Sequence, residues 1–299
     1  MTKVYHSVYN SAMSTITLKP SKKDCSKLYE TFKETAVKTP PQYAEWQLRP
    51  EGCVITCYTS GKVVFQGKDA EVYASPFQAN PSVTLPQGGS DEVGTGDYFG
   101  PVCVAAAVVR SDTIETLTSL GVRDSKALDD EQIRKIAPKL KEILPHSLLI
   151  VSPSKYNEVH KTNNMNAIKA KLHNQAYLNL MEKTDLPDFC VVDQFADPPV
   201  YYHYLRFEKK VVRTLHFETK AENKYPAVGA ASVLARNAFL EFMDEMSAYY
   251  RIEFTKGSGS NTDRCAERFV KKYGYEKLGE VAKLHFKNTE KLNQSFSRR

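Results

Sequence analysis

The sequence predicts an α/β domain preceded by a small α+β domain, and three observations lead there. Residues 1–82 hold one segment of helical periodicity followed by short β-type runs punctuated by turns. Residues 83–90 fall in "NPSVTLPQGGS", which concentrates Pro, Gly, Asn and Ser, the chemistry of a linker. From 91 to 299 apolar runs alternate with amphipathic ones, the pattern of a sheet with helices on its faces.

Taken in order, "SKKDCSKLYETFKETAVK" starts on a Ser cap and spaces Leu28, Phe32 and Val37 for a helix. "EWQLRP", "CVITCYTS", "KVVFQG" and "EVYAS" read as strands, joined by turns at Pro50-Glu51-Gly52, Ser60-Gly61 and Gly67-Lys68. Beyond the linker, strands are predicted over 90–94, 102–109, 147–151, 189–192 and 212–217. Helices are predicted over 129–143, 166–183, 227–248, 262–273 and 279–284.

At 41% hydrophobic and 25% charged, the 299 residues have the composition of a globular chain able to bury a core. No apolar run approaches the roughly 18 residues of a spanning helix, and "MTKVYHSVYN" lacks the apolar core of a signal peptide, so a cytoplasmic protein without membrane attachment is expected. The six cysteines are scattered, which argues against a disulfide framework and against a zinc set. Net charge is +6, and residues 1–82, with 10 basic and 7 acidic side chains, carry half of it.

Four carboxylates stand out. Asp91 and Glu92 are adjacent at a predicted strand, and "FCVVDQFAD" ends four apolar residues on Asp193, with Asp197 four positions on. A buried strand that terminates on an acid delivers it to the sheet edge, where α/β folds place their sites. One pair of carboxylates about 4 Å apart repels by roughly 4 kcal/mol at an effective dielectric near 20, so convergence of the four calls for cations. All-oxygen ligands select Mg²⁺ or Mn²⁺, and two such ions can activate water and stabilise a leaving oxygen in phosphodiester cleavage. Against this, neighbouring strand residues point to opposite faces, so joint ligation by Asp91 and Glu92 requires a local twist.

Gly94, Thr95 and Gly96 follow the acids in "GTGDYFG", where glycine permits a positive φ or close approach of a ligand. The run matches neither a Walker A loop nor a dinucleotide fingerprint.

"DEVGTGDYFGP", "DSK" (124–126), "VVDQFADP" (191–198) and "KYPAVGAASVLAR" (224–236), in this order and spacing, closely resemble the type 2 ribonuclease H family, in its HIII branch, over residues 86–299. The resemblance implies a ribonuclease H-like mixed sheet and cleavage of the RNA strand of RNA/DNA hybrids with Mg²⁺ or Mn²⁺. By the same resemblance Asp91, Glu92, Asp193 and Asp197 are the catalytic acids and metal ligands, and the backbone of Gly94, Thr95 and Gly96 contacts 2′-hydroxyls. Lys126, Ser232 and Arg236 are further substrate-binding candidates. The layout of the small domain resembles the TATA-binding-protein-like extension with which the HIII branch holds substrate, and its Trp46, Tyr58, Phe65, Tyr73 and Phe77 are candidates for stacking. Thr95 stands where the HII branch usually has Arg, and the second acid of "DQFAD" replaces an acid that branch carries on a helix. No protein partner is implied. Two alternatives stay open: a non-catalytic hybrid-binding protein, and a phosphoesterase acting on small molecules.

Overall fold

An unbroken apolar octet, "VCVAAAVV", can be buried only in the middle of a layered structure, and in the computed structural model, which describes residues 14–74, 77, 85–122 and 128–297, all eight of its residues are buried in one strand. The chain divides into two compact units, Met1–Pro81 and Ser82–Arg299.

In the first unit, β1 (Ser14–Leu18), α1 (Lys22–Phe32), β2 (Ala44–Leu48), β3 (Val54–Tyr58), β4 (Val63–Gly67) and α2 (Ala70–Ala74) form an antiparallel sheet of order β1-β4-β3-β2 with two helices. Ser21 caps α1, its hydroxyl accepting from Asp24 N–H at 3.2 Å. Leu48 and Ile55 face each other in the register, as do Ile55 and Phe65, so their side chains share one face and are fully buried. The first four residues of "EVYAS", expected to be a strand, lie in helix α2: Val72, Tyr73 and Ala74 bury consecutive positions, which helical packing against neighbours accommodates and a half-exposed strand does not. β1 adds an edge strand to those the sequence predicts.

In the second unit the elements run β5 (Gln87–Val93), β6 (Val102–Val109), α3 (Ile114–Ser119), α4 (Asp130–Ile143), β7 (His146–Val151), α5 (Pro153–His160), α6 (Met165–Met181), β8 (Cys190–Asp193), α7 (Pro198–Tyr204), β9 (Leu215–Glu218), α8 (Pro226–Tyr250), α9 (Ser260–Tyr273), α10 (Leu278–Val281) and α11 (Lys287–Ser297). The sheet order is β7-β6-β5-β8-β9; β5, β6 and β7 pair antiparallel, while β8 runs parallel to both β5 and β9, making the sheet mixed. Caps mark the helix starts: Asp129 and Gln132 form a reciprocal capping box on α4, and the Asn164 side chain accepts from Ala167 N–H on α6 at 2.8 Å. Residues 87–90, expected to be linker, are instead the first half of central strand β5, because Gly88 and Gly89 leave room where neighbouring elements close in. α8 is the axis of the core, with Ala227, Ala230, Ala231, Leu234 and Ala238 buried against the sheet and α4.

Candidate active site

Glycine determines how α8 meets the sheet. A Cβ on Gly89 would lie 2.3 Å from the backbone nitrogen of Val228, so only a residue without one lets the helix axis come this close. Four residues along α8 is about 6 Å, and two residues along a strand is about the same. Ser232 therefore stands over Asp91, and its hydroxyl donates to the Asp91 carboxylate.

The parallel pairing of β5 and β8 does the rest. Its last register pair is Ser90 with Val192, so one step on, Asp91 and Asp193 stand side by side at the carboxyl end of β8 and on one face. Glu218 follows on β9, paired with Asp193. Asp193 Oδ1 accepts from Ala221 N–H at 2.9 Å. Asp91 is 8% exposed, and burial, then the charges of Glu92 and Asp193, push its carboxyl up to about 8; Ser232 and the Glu92 N–H, 2.7 Å from Oδ1, offset part of that rise.

Glu92 points to the opposite face, towards α6. One carboxylate oxygen pairs with the Lys169 ammonium, and the other lies 2.8 Å from His173 Nε2. The other ring nitrogen, Nδ1, lies 2.8 Å from the Ser90 hydroxyl. Burial acts to raise Glu92, but the hydrogen bond and charge of His173 and then Lys169 outweigh it and hold the acid below its ordinary range. Sequence reasoning missed Lys169 and His173. The available signal was a basic pair one turn apart within the predicted helix, in "NAIKAKLHNQA".

Asp197 is the residue before α7, and its Oδ1 accepts from Gln194 Nε2 at 3.2 Å; the residues between Asp193 and Asp197 turn without forming the helical turn that would stack the two acids. Asp91, Glu92 and Asp193 thus interact electrostatically, and Asp197 follows within the loop after β8. Among the described residues, no three His, Cys, Asp or Glu side chains are gathered closely enough to hold one ion.

Gly94 has φ 93° and a Cβ there would lie 2.1 Å from the Pro101 carbonyl oxygen, so its glycine is required by the fold itself. Gly96 is exposed, with open space where a Cβ would stand. Their loop is pinned from behind: Gly257 N–H donates to Asp97 Oδ1 at 2.5 Å, and Tyr98 N–H to the Gly257 carbonyl at 3.0 Å. Lys283, fully buried, donates to the carbonyls of Gly100 and Phe99 at 2.6 and 3.4 Å.

The remaining candidates are placed differently. Arg236 braces α8 to the start of α4, donating to the Leu128 carbonyl at 2.7 Å and pairing with Asp130 at 2.6 Å. Lys126 lies outside the described residues. In the first unit Phe65 and Tyr73 are buried and serve the core; Trp46 is half-buried with its ring 5.7 Å from that of Tyr29, Phe77 stacks on Phe65 at 6.1 Å, and Tyr58 is half-buried.

A family model described as Ribonuclease HII matches residues 88–289, and one described as a domain of unknown function matches residues 15–88. Ribonuclease HIII of Bacillus pumilus is 40% identical over 300 residues, spanning 93% of this chain and 98% of that protein. Ribonuclease HIII of Streptococcus pneumoniae (strain Taiwan19F-14) is 40% identical over 294 residues, spanning 96% and 100%. Among solved structures, Bst-RNase HIII in complex with Mn²⁺ superposes with a TM-score of 0.70 at 35% identity, over 96% of this chain and 100% of that one. The ribonuclease H2 of Pyrococcus horikoshii OT3 superposes with a TM-score of 0.60 at 28% identity, over 72% and 100%. The mixed sheet with acids at its strand ends, and this likeness over nearly the whole chain, lead to one conclusion: the chain belongs to the ribonuclease HII family, in its ribonuclease HIII branch, the endoribonucleases that cleave the RNA of RNA/DNA hybrids.

Proposed function

We propose that this protein cleaves the RNA strand of RNA/DNA hybrids by a two-metal-ion mechanism, with Asp91, Glu92, Asp193 and Asp197 holding two Mg²⁺ or Mn²⁺ ions. The observation that carries the reading is geometric: the parallel register of β5 and β8 sets the buried Asp91 beside Asp193 at the strand ends, with Asp197 in the loop that follows. Buried neighbouring carboxylates repel one another, a divalent cation relieves that repulsion, and an all-oxygen donor set fits Mg²⁺ or Mn²⁺. Bound ions would activate water and stabilise the departing oxygen of the scissile phosphodiester.

The chain's own residues do the rest. Ser232 orients Asp91, and the Ala221 N–H orients Asp193. The backbone of Gly94, Thr95 and Gly96 approaches the ribose 2′-hydroxyls, an approach that distinguishes RNA from DNA without reading bases. The first unit, with its basic excess, grips the phosphates of the hybrid.

The test is Asp193→Asn, which keeps shape and removes charge. Hydrolysis of a hybrid, followed on a labelled RNA strand with a DNA duplex and free nucleotides as controls, is expected to fall by about 10³-fold or more, of the order seen when a group acting on the transition state is lost. Hybrid binding measured in Ca²⁺ is expected to survive. Wild-type turnover by the variant sinks the metal assignment; hydrolysis of free nucleotides in place of hybrid supports a small-molecule phosphoesterase instead.

A further inference from the structure

Lys169 and His173 have no part in the chemistry just proposed, yet both reach the acid cluster from one face of α6. The Lys169 side chain is 10% exposed and that of His173 is fully buried, and together they occupy both carboxylate oxygens of Glu92. The Lys169 ammonium also stands 4.0 Å from the centre of the Phe195 ring, and Phe195 lies between Asp193 and Asp197. One cation therefore touches an acid of β5 and, through a cation–π interaction, the segment that carries the other two acids. His173 packs against the same ring, centroids 5.4 Å apart.

A buried ammonium on a carboxylate is a counter-ion, and it competes with any other cation for that oxygen. With Lys169 in place Glu92 is drawn to the α6 side of the sheet, away from the row formed by Asp91 and Asp193. We propose that Lys169 is a positioning residue that holds Glu92 towards α6 and so sets the affinity of the acid cluster for divalent cations, an inference that rests on the metal-binding reading of the four acids. A divalent ion that takes Glu92 must separate it from Lys169, whose charge then opposes the ion at close range.

The test is Mn²⁺ binding to the full chain without nucleic acid, read from the electron paramagnetic resonance signal of the free ion. Lys169→Gln, which keeps a hydrogen-bonding side chain and removes the charge, is expected to bind Mn²⁺ about tenfold more tightly than wild type, and Lys169→Arg within about twofold of it. The metal-free melting temperature of Lys169→Gln is expected to fall and to recover at saturating Mn²⁺. An unchanged or weaker Mn²⁺ affinity in Lys169→Gln overturns the proposal, because a merely structural lysine would lower the melting temperature alone. A wild-type protein that binds no Mn²⁺, or an Asp193→Asn variant that binds it as wild type does, overturns the metal reading itself and this proposal with it. If Lys169→Gln does not fold, the wild type decides: the His173 ring signals in an NMR titration with Mg²⁺ are expected to shift as Glu92 leaves, and signals unmoved at saturating Mg²⁺ overturn the proposal.

Discussion

Two glycines that look alike in the sequence have opposite roles. At Gly89 an added Cβ meets backbone atoms of α8, at 2.3 Å from Val228 N and 2.4 Å from Ala227 C, and no side chain is there to give way. Gly89→Ala is expected to cost about 1–3 kcal/mol, as overpacking does, and to lower the melting temperature by roughly 2–4 °C for each of those. It should also lower activity in the molecules that remain folded, because the helix that moves carries Ser232. A melting curve equal to that of wild type would show that α8 is not held this closely. At Gly96 the space is open and φ is ordinary. Gly96→Val is therefore expected to leave stability within about 0.5 kcal/mol, as surface changes do, while hybrid cleavage falls because the backbone can no longer approach the ribose. Full hydrolytic activity of that variant would remove the loop from the substrate-binding assignment.

At the scale of elements, the second unit is closed by a clasp between α5 and the stretch formed by α10 and the residues just after it. Asn157 on α5 donates to the carbonyls of Gly279 and Ala282 at 3.1 and 2.8 Å and accepts from Leu284 N–H at 3.0 Å. Beside it the His285 ring stacks on His160 with centroids 4.3 Å apart, and Tyr156 lies 5.4 Å from His285. Burial, then the charges of His160 and Lys283, lower His285 from 6.5 to about 4. A folded-state value below the unfolded one means that the unfolded chain takes up the proton first. The stability this ring contributes is thus present above about pH 6.5 and is lost as pH falls towards about 4. Thermal melts between these limits are expected to show the wild type losing stability more steeply than His285→Phe, which keeps a flat ring and cannot titrate. Parallel slopes would mean that the stacked pair is not a source of acid sensitivity.

For the molecule as a whole, the second unit has its own core, drawn from residues between Tyr98 and Leu292. Residues 82–299 are therefore expected to fold without the first unit and to retain weak metal-dependent cleavage, since all four acids lie within them. Hybrid binding is expected to weaken and its salt dependence to flatten, by about 0.9 in the slope of log affinity against log salt for each phosphate no longer neutralised, on the scale of duplex DNA. Salt titrations of the two proteins check this. Coincident slopes would make the +3 of residues 1–82 a solvated surface rather than a grip on substrate. Among the described residues no helix is long and apolar enough to cross a membrane.

The sequence by itself determined the class of the large domain and supplied the four acids that are proposed as ligands. Long apolar runs and caps, as at 102–109 and at Asp129, are local signals, and the chain order of Asp91, Glu92, Asp193 and Asp197 is carried by contiguous motifs. Short amphipathic pieces such as α2, α3, α5 and α7 were not legible, because a helix of five to eight residues has too few turns to establish a period and owes its form to what it packs against. Only the tertiary structure decided that Arg236 braces α4, that Gly94 serves a Pro101 carbonyl, and that Glu92 faces Lys169 and His173 instead of its neighbour Asp91. The pairings of Arg236 and Glu92 depend on which face of a helix or strand meets which neighbour, and that is fixed between residues about 80 or more positions apart, a distance over which no local pattern in the chain reports.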